Sequence, residues 1–332
     1  MRPAPDDRSV DDLLSFGVVN LDKPPGPSAH QVSAWVRDAA GVDRAAHAGT
    51  LDPKVTGCLP VLTGDATRLA QVFLEGAKEY VAVLELHGSA PTDAERVVAE
   101  FEGDLYQKPP RKSAVKRRLR TREVYALDVL DSTDRQLLLR VRCESGTYVR
   151  KLCHDVGLAL GTGGHMGDLR RTATDPFDDR DLHAMTDLVD GLAFAGAGAV
   201  DKHDGGDGDR DRNDDRDRDR NDDRDGDAAE PDESLLRDVV QPAERALTHL
   251  PRVTVAESAA AEIANGAPVY APGVLDVAPA TDPVPEFAGD APTVGDLVAC
   301  YTPNGSAVCL GTLVGDPEAS SGEVVSLERV LV

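Results

Sequence analysis

The sequence predicts an α+β fold, in which helices flank a mixed, largely antiparallel central sheet and a small β-rich module follows at the C-terminal end. Three observations support this. Residues 79–87 (EYVAVLELH) and 136–144 (QLLLRVRCE) alternate apolar with polar positions and are rich in strand formers. Residues 29–40 and the stretch after Gly146-Thr147 instead repeat their apolar positions at helical spacing. The last eighty or so residues, 251–332, consist mainly of short apolar runs broken by turn residues.

Taken in order, residues 1–16 read as a polar tail with no hydrophobic leader, and no run in the chain is long or apolar enough to span a membrane. The Lys23-Pro24-Pro25-Gly26 turn precedes Ser28-Ala29-His30-Gln31, a capping box, and Val32, Trp35, Val36 and Ala39 continue the helical stripe to about residue 40. Next comes His47-Ala48-Gly49-Thr50-Leu51-Asp52-Pro53. Gly49 permits backbone angles that a side chain would block, and Pro53 biases Asp52 toward an extended conformation, so one carboxylate stands on a stiff turn. That placement suits nucleophilic or acid-base chemistry. An Asx-turn, in which Asp52 bonds its own backbone, fits the local sequence too.

Tyr80, in Lys78-Glu79-Tyr80, is placed on the first strand; an aromatic ring at a site mouth can stack on a nucleobase. After Gly146-Thr147, Val149, Leu152, Val156 and Leu160 form an apolar helix face that Gly161 ends. Arg150 lies off that face in the first turn, where a cation opposes the helix dipole and needs an anionic partner. Asp52 is the partner expected, because a guanidinium fork holds a carboxylate in one orientation.

The chain carries 59 acidic and 36 basic residues, a net charge of −23, which by itself argues against a polyanionic partner. Against that average, RKSAVKRRLRTR contains Arg111, Lys112, Lys116, Arg117, Arg118, Arg120 and Arg122 with no acid between them, a candidate phosphate-binding stripe. The dominance of Asp among acids and Arg among bases suggests an extreme halophile, whose Debye length shrinks to about 3 Å at 1 M salt. Five cysteines at isolated spacings indicate neither a disulfide framework nor a zinc ribbon, and suggest a reducing cytoplasm. Cys153, His154, Asp155 and His165 point in different directions on a helix and beyond it, so no metal site is expected.

Beyond the catalytic region, taken as 17–190, an acidic insert spans 191–233. Its densest part, 201–233, holds sixteen acids and seven bases and too little apolar surface to offset its ordering entropy, so disorder is expected there. Residues 234–250 read as a helical return segment. The module 251–332 opens with a helix-like run from Val255 to Asn265 ending at Gly266.

The ordered set Lys23-Pro24-Pro25-Gly26, His47-Ala48-Gly49-Thr50-Leu51-Asp52-Pro53, Lys78-Glu79-Tyr80, Gly146-Thr147-Tyr148-Val149-Arg150 and Leu169-Arg170-Arg171-Thr172 resembles the TruB family of pseudouridine synthases. Residues 107–125 resemble its archaeal and eukaryotic dyskerin-type branch, the catalytic subunit of H/ACA ribonucleoproteins, and GAPVYAPGV with VGDLVACYTPNGSAVCLGTLVG resembles a PUA domain, a small RNA-binding β-barrel. The resemblance implies the pseudouridine synthase fold and a cofactor-free isomerisation of uridine. It implies that Asp52 is the nucleophile, Tyr80 stacks on the target base and could assist removal of the C5 proton, Arg150 pairs with Asp52, and Leu169 walls the pocket. His47 would lie near the flipped nucleotide, and Lys23, grouped here with the RNA-binding residues, would sit in the motif behind the catalytic loop. One departure is Ala46, where relatives usually have glycine. Addition at uracil C6, attack at ribose C1′ and glycal formation all fit these residues. The implied partners are tRNA, with uridine 55 of the TΨC loop as target, or H/ACA guide RNA, rRNA and small accessory proteins. A noncatalytic RNA-binding scaffold is the alternative from another class.

Overall fold

The structure is a computed structural model that describes residues 1–74, 76–108, 118–198, 231–282 and 291–332. Arg111, Lys112, Lys116 and Arg117, and nearly all of the acidic insert expected to be disordered, lie outside the described residues.

The described residues form two sheets. The larger contains β1 (Gly17–Lys23), β2 (Ala45–His47), β3 (Thr56–Thr63), β4 (Lys78–Leu86), β5 (Gly103–Gln107), β6 (Arg120–Ser132), β7 (Gln136–Cys143), β8 (Gly164–Thr174), β9 (Phe177–Asp178) and β10 (Val240–Pro242). Its order is β10-β1-β3-β8-β4-β7-β6-β5, with β2 on β3 and β9 on β8. The β3–β8 pairing is parallel and the others are antiparallel, as the mixed, largely antiparallel prediction required.

Helices α1 (Val10–Ser15), α2 (Ala29–Ala40), α3 (Ala94–Ala99), α4 (Val149–Ala159), α5 (Met185–Phe194) and α6 (Ser234–Val239) accompany this sheet. The capping box of α2 forms as read, with Ser28 accepting from the Gln31 amide, and Gly41 closes the helix at φ 65°. Val149, Leu152 and Val156 of α4 are buried, and Arg150 is exposed.

Three segments differ from the sequence reading. Residues 1–16, expected as a polar tail, carry a 3-10 turn and α1, whose Leu13 and Leu14 are buried. Arg8 is buried against Glu244 through two hydrogen bonds of 2.8 and 2.7 Å, and the Ser306 hydroxyl donates to the Pro3 carbonyl at 2.7 Å. The return segment 234–250 is helical only through Val239. Val240 then pairs with Val19 across β1, because Pro242 cannot extend a helix and the β-branched pair fits a sheet edge. In the C-terminal module the helix, α7, covers Glu257–Ala264, while Val255 ends a strand.

The second sheet comprises β11 (Arg252–Val255), β12 (Val269–Tyr270), β13 (Val274–Ala278), β14 (Leu297–Tyr301), β15 (Ala307–Leu313) and β16 (Glu323–Val330), in the order β12-β16-β15-β14-β11-β13. One face closes over its own core of Val253, Ile263, Val298 and Val308. Ala299, Tyr301, Leu310 and Leu331 instead share a cluster with Phe16, Leu62, Phe73 and Leu247, so the module is joined to the larger sheet through apolar contact.

Candidate active site

The strand order places β3, β8 and β4 side by side, and the candidate site lies where the loop before β3 crosses their ends. Lys23 closes β1 opposite Gly57 of β3. Its ammonium is buried and donates to the carbonyls of Pro24, Pro53 and Val55 at 2.9, 3.1 and 2.8 Å. The Gly26 amide also reaches the Pro53 carbonyl, at 2.8 Å, so the KPPG turn and the Asp52 loop are fastened together. Burial pushes the Lys23 ammonium down in pKa, partly opposed by the nearby Asp52 carboxylate. Lys23 is therefore a support of the loop; with its three donors spent on backbone it is not placed to meet an RNA phosphate.

Asp52 projects from that loop and pairs with Arg150 of α4, both side chains being more than half exposed. The pairing expected from the sequence is present. The local Asx-turn alternative is not the arrangement seen, since among the hydrogen bonds found the carboxylate accepts from Arg150 and the turn is closed by the Val55 amide on the Asp52 carbonyl, at 3.0 Å.

Beneath the loop is Arg171, to which the sequence reading gave no role. It is 1% exposed; its Nε donates to the Cys58 carbonyl at 2.7 Å and an Nη to the Gly49 carbonyl at 3.3 Å. The glycines here are geometric requirements. Gly49 has φ 113°, and a Cβ there would lie 3.3 Å from the Arg171 guanidinium; at Gly57, φ 96°, a Cβ would fall 2.2 Å from the Arg171 carbonyl oxygen. Tyr80 faces Arg171 across the β4–β8 ladder, next to a register irregularity between Glu79 and Tyr80. The ring is half-buried, and burial pushes the phenol up, with the Arg171 guanidinium drawing it the other way. Leu169 pairs with Ala82 on the same ladder and is 9% exposed, packed in the main core at whose margin Tyr80 lies.

Two further basic side chains complete the underside. Lys78 is buried, donating to the carbonyls of Phe73 and Gly76 at 2.8 Å each, and burial with Arg171 nearby depresses it to about 7. His47, half-buried at the end of β2, is pushed down by burial, then by Arg171 and His30, and its Nδ1 has no partner. Arg171 and Lys78 had a signal in the sequence. Period two along β8 puts Arg171 on the face of Leu169 and Ala173, and along β4 it puts Lys78 with Tyr80, Ala82 and Leu84, so both belong on the inward side.

Three residues of the basic stripe lie within the described residues. Arg118 is exposed, and Arg120 stands half-buried opposite Gln107. Arg122 is committed to Glu144 at 2.6 Å and packs beneath Gly146.

This arrangement exposes one carboxylate, pairs it with a guanidinium, and sets the loop that carries it over buried Lys23 and Arg171, with Tyr80 opposite Arg171 on the neighbouring strand.

Comparison with known proteins places this geometry in a lineage. Residues 37–149 match the family model described as TruB family pseudouridylate synthase (N terminal domain), and 150–204 match the tRNA pseudouridylate synthase B C-terminal domain. Residues 3–33 match the DKCLD (NUC011) domain and 251–320 a PUA domain, so the N-terminal segment falls within a family match. A probable tRNA pseudouridine synthase B from Haloarcula marismortui is 61% identical over 100% of this chain and 94% of its own length. Its counterpart in Halobacterium salinarum is 61% identical over 100% and 99%. The crystal structure of a Cbf5-Nop10-Gar1 complex has a similar chain, TM-score 0.81 and 39% identity, covering 100% of this chain and 89% of that one. The structure of an H/ACA RNP bound to a substrate RNA containing 2′-deoxyuridine has another, TM-score 0.79 and 37% identity over 99% and 89%. The halophilic sources of the 61% relatives accord with the acid-rich composition.

Proposed function

Since the chain belongs to the TruB family of pseudouridine synthases, we propose that Asp52 is the nucleophile with which it isomerises uridine to pseudouridine in RNA. The observation that carries this is the Asp52–Arg150 pair on a loop whose base is tied down by Lys23 and Arg171. In the reaction the N1–C1′ bond breaks, the uracil turns over, a C5–C1′ bond forms, and the proton lost from C5 is balanced by one gained at N1. No electrons change hands, so no redox cofactor is called for.

The target base must first leave its stack, at a cost of a few kcal/mol. Tyr80 receives it by stacking, and Leu169 limits the pocket on the apolar side. Arg150 holds the Asp52 carboxylate in the attacking orientation. Tyr80 is also assigned a part in removal of the C5 proton. His47, whose imidazole feels the Arg171 charge, is assigned to the neighbourhood of the extruded nucleotide.

The substrates proposed are uridine 55 in the TΨC loop of tRNA, following the relatives named tRNA pseudouridine synthase B, and guide-selected uridines of rRNA, following the likeness to Cbf5 in H/ACA assemblies. Guide RNA and small accessory proteins are the partners of the second mode, with the C-terminal module holding RNA as a PUA domain. Arg118 and Arg120 extend the RNA path along β6. The domains proposed are a catalytic unit read from the sequence as 17–190, whose last helix α5 runs on to Phe194 with Leu192 buried, an acidic insert read as 191–233 that therefore starts after that helix, the return segment 234–250 and the RNA-binding module 251–332. Among the described residues no helix is long and apolar enough to cross a membrane, and the cytoplasm is the proposed location.

The experiment is tritium release from C5-labelled uridine in molar potassium chloride. Purified protein is given a tRNA transcript alone, and separately a guide RNA with accessory proteins and target. Asp52→Ala is expected to abolish release in both. Release by Asp52→Ala at the wild-type rate would overturn the nucleophile assignment, and activity only with the guide would remove the tRNA mode.

A further inference from the structure

Glu79, between Lys78 and Tyr80, and Thr172, directly after Arg171, meet across the β4–β8 ladder. The Thr172 hydroxyl donates to Glu79 Oε1 at 3.0 Å, and both residues are half-buried. The register shows what this bond spans. Lys78 pairs with Thr174 and Glu79 with Ala173, so a regular antiparallel ladder would set Tyr80 opposite Thr172. Tyr80 instead stands opposite Arg171, and Thr172 is left over as the extra residue of a β-bulge. On its other side Tyr80 keeps an unbroken register, opposite Val141 of β7. The irregularity therefore belongs to the β8 side, and it is what brings the buried Arg171 against Tyr80. A second bulge interrupts the same ladder between Val83 and Leu84; its extra residue is Gly167, which has no side chain to fasten it.

We propose that Glu79 and Thr172 are positioning residues, whose hydrogen bond pins the β8 bulge and so holds Tyr80 against Arg171, ready for the incoming base. This rests on the reading of Tyr80 as the residue that receives the target uracil. A hydroxyl donated to a carboxylate makes a charge-assisted bond, about twice as strong as a neutral one. Here it closes on the residue immediately before Tyr80. The cations near Glu79 have other carboxylates: Arg140 feels the Glu79 charge but bonds Asp128 at 3.1 and 2.9 Å, and Arg142, opposite Glu79 on β7, bonds Asp175 at 3.0 Å. Lys78 is fastened in turn to the carbonyls of Phe73 and Gly76. The two positions that lead into Tyr80 are thus each tied down by a side chain. Without the Glu79–Thr172 bond the ladder is free to relax toward regular pairing, in which Thr172 would take the place of Arg171 opposite the ring.

Steady-state tritium release from C5-labelled uridine, in molar potassium chloride and on the RNA that the wild type turns over, tests this. Thr172→Val is expected to lower kcat by about 10-fold with KM unchanged, the weight of one hydrogen bond to a charged group. Thr172→Ser, which keeps the hydroxyl, should retain the wild-type rate. Glu79→Ala should match Thr172→Val, and the double variant should fall no further, because both changes break one bond. Circular dichroism establishes that each variant is folded, and Tyr80→Leu is the reference. Wild-type turnover by Tyr80→Leu would remove the reading of Tyr80 and the proposal with it. With Tyr80→Leu impaired, the positioning assignment alone is overturned by any of three results: wild-type kcat in Thr172→Val, an equal loss in Thr172→Ser, or losses that add in the double variant.

Discussion

Replacing Lys23 with methionine separates two roles that a sequence reading merges. Methionine keeps most of the aliphatic stem and removes the ammonium, and with it three hydrogen bonds to Pro24, Pro53 and Val55 at 2.8 to 3.1 Å. Hydrogen bonds to charged groups contribute about 1.5–3 kcal/mol each. Relief of the cost of burying the ammonium offsets part of that loss, and a net destabilisation of about 3 kcal/mol is expected. The larger consequence is positional. Two of the three acceptors, Pro53 and Val55, follow Asp52 within three residues, and a displacement of about 1 Å in a reacting group costs on the order of 100-fold in rate. Single-turnover tritium release should therefore fall by about two orders of magnitude, while RNA affinity by filter binding is unchanged and its dependence on salt keeps the wild-type slope. A phosphate contact would behave in the opposite way, lowering the salt slope by about one and sparing the single-turnover rate. That second pattern in folded Lys23→Met would refute the placement of Lys23 as a support.

Arg150→Lys should leave stability within about 0.5 kcal/mol, because both members of the pair are more than half exposed, yet lower kcat by at least about 10-fold as the planar fork is lost; thermal melts and initial rates check the two halves separately. His249 is 7% exposed and its imidazole is pushed down to about 4, first by burial and then by Lys78. Its folded pKa lies below the ordinary 6.5, so its contribution is fully present above that value and is lost as pH falls toward 4, amounting to about 3 kcal/mol at most. Denaturant titrations between these limits should show a shallower slope in His249→Phe, and an unchanged slope would count against the assignment. Deleting residues 201–230 should leave turnover largely intact, because the Asp232 amide already donates to the Phe194 carbonyl at 3.0 Å and α5 packs on α6; a large loss of turnover in the folded deletion variant would contradict this.

What the sequence could and could not disclose follows from the range of the forces involved. The α2 capping box, the β4 and β7 alternation and the α4 stripe are set by neighbours within a few residues, and each is found where it was read, within a residue or two. The helix expected from Val255 failed at its first two residues because Val255 hydrogen-bonds in a ladder with β13, a partner nearly twenty residues away. Residues 1–16 look polar in isolation, yet Arg8 is buried because Glu244 and the Ala307 amide, far along the chain, complete its network. The same reasoning covers Lys23. It was grouped with the RNA-binding residues and also placed in the motif behind the catalytic loop, and whether an ammonium meets phosphate or backbone depends on where the loop folds back, a tertiary fact. Arg171 shows the converse case, in which period-two alternation already marked a charged residue on the buried face of β8.

The buried cations also bear on how a chain of net charge −23 handles a polyanion in concentrated salt. Exposed arginines such as Arg118 act through water whose Debye length is about 3 Å at 1 M salt, so their reach is short. Lys23 and Arg171 differ in two respects. They are screened little because they are buried, and their hydrogen bonds run to backbone carbonyls, which leave the net positive charge uncancelled. The carboxylate that opposes the drop in the Lys23 pKa is Asp52 itself. The field under the catalytic loop is thus positive and insensitive to salt, while the outer surface remains acidic and hydrated. RNA selection in such a protein rests on shape, stacking on Tyr80 and these short-range buried charges. The prediction for Arg171→Met follows: loss of activity that added salt neither deepens nor rescues, in contrast with Arg118→Ala, whose effect on binding should shrink as potassium chloride is raised.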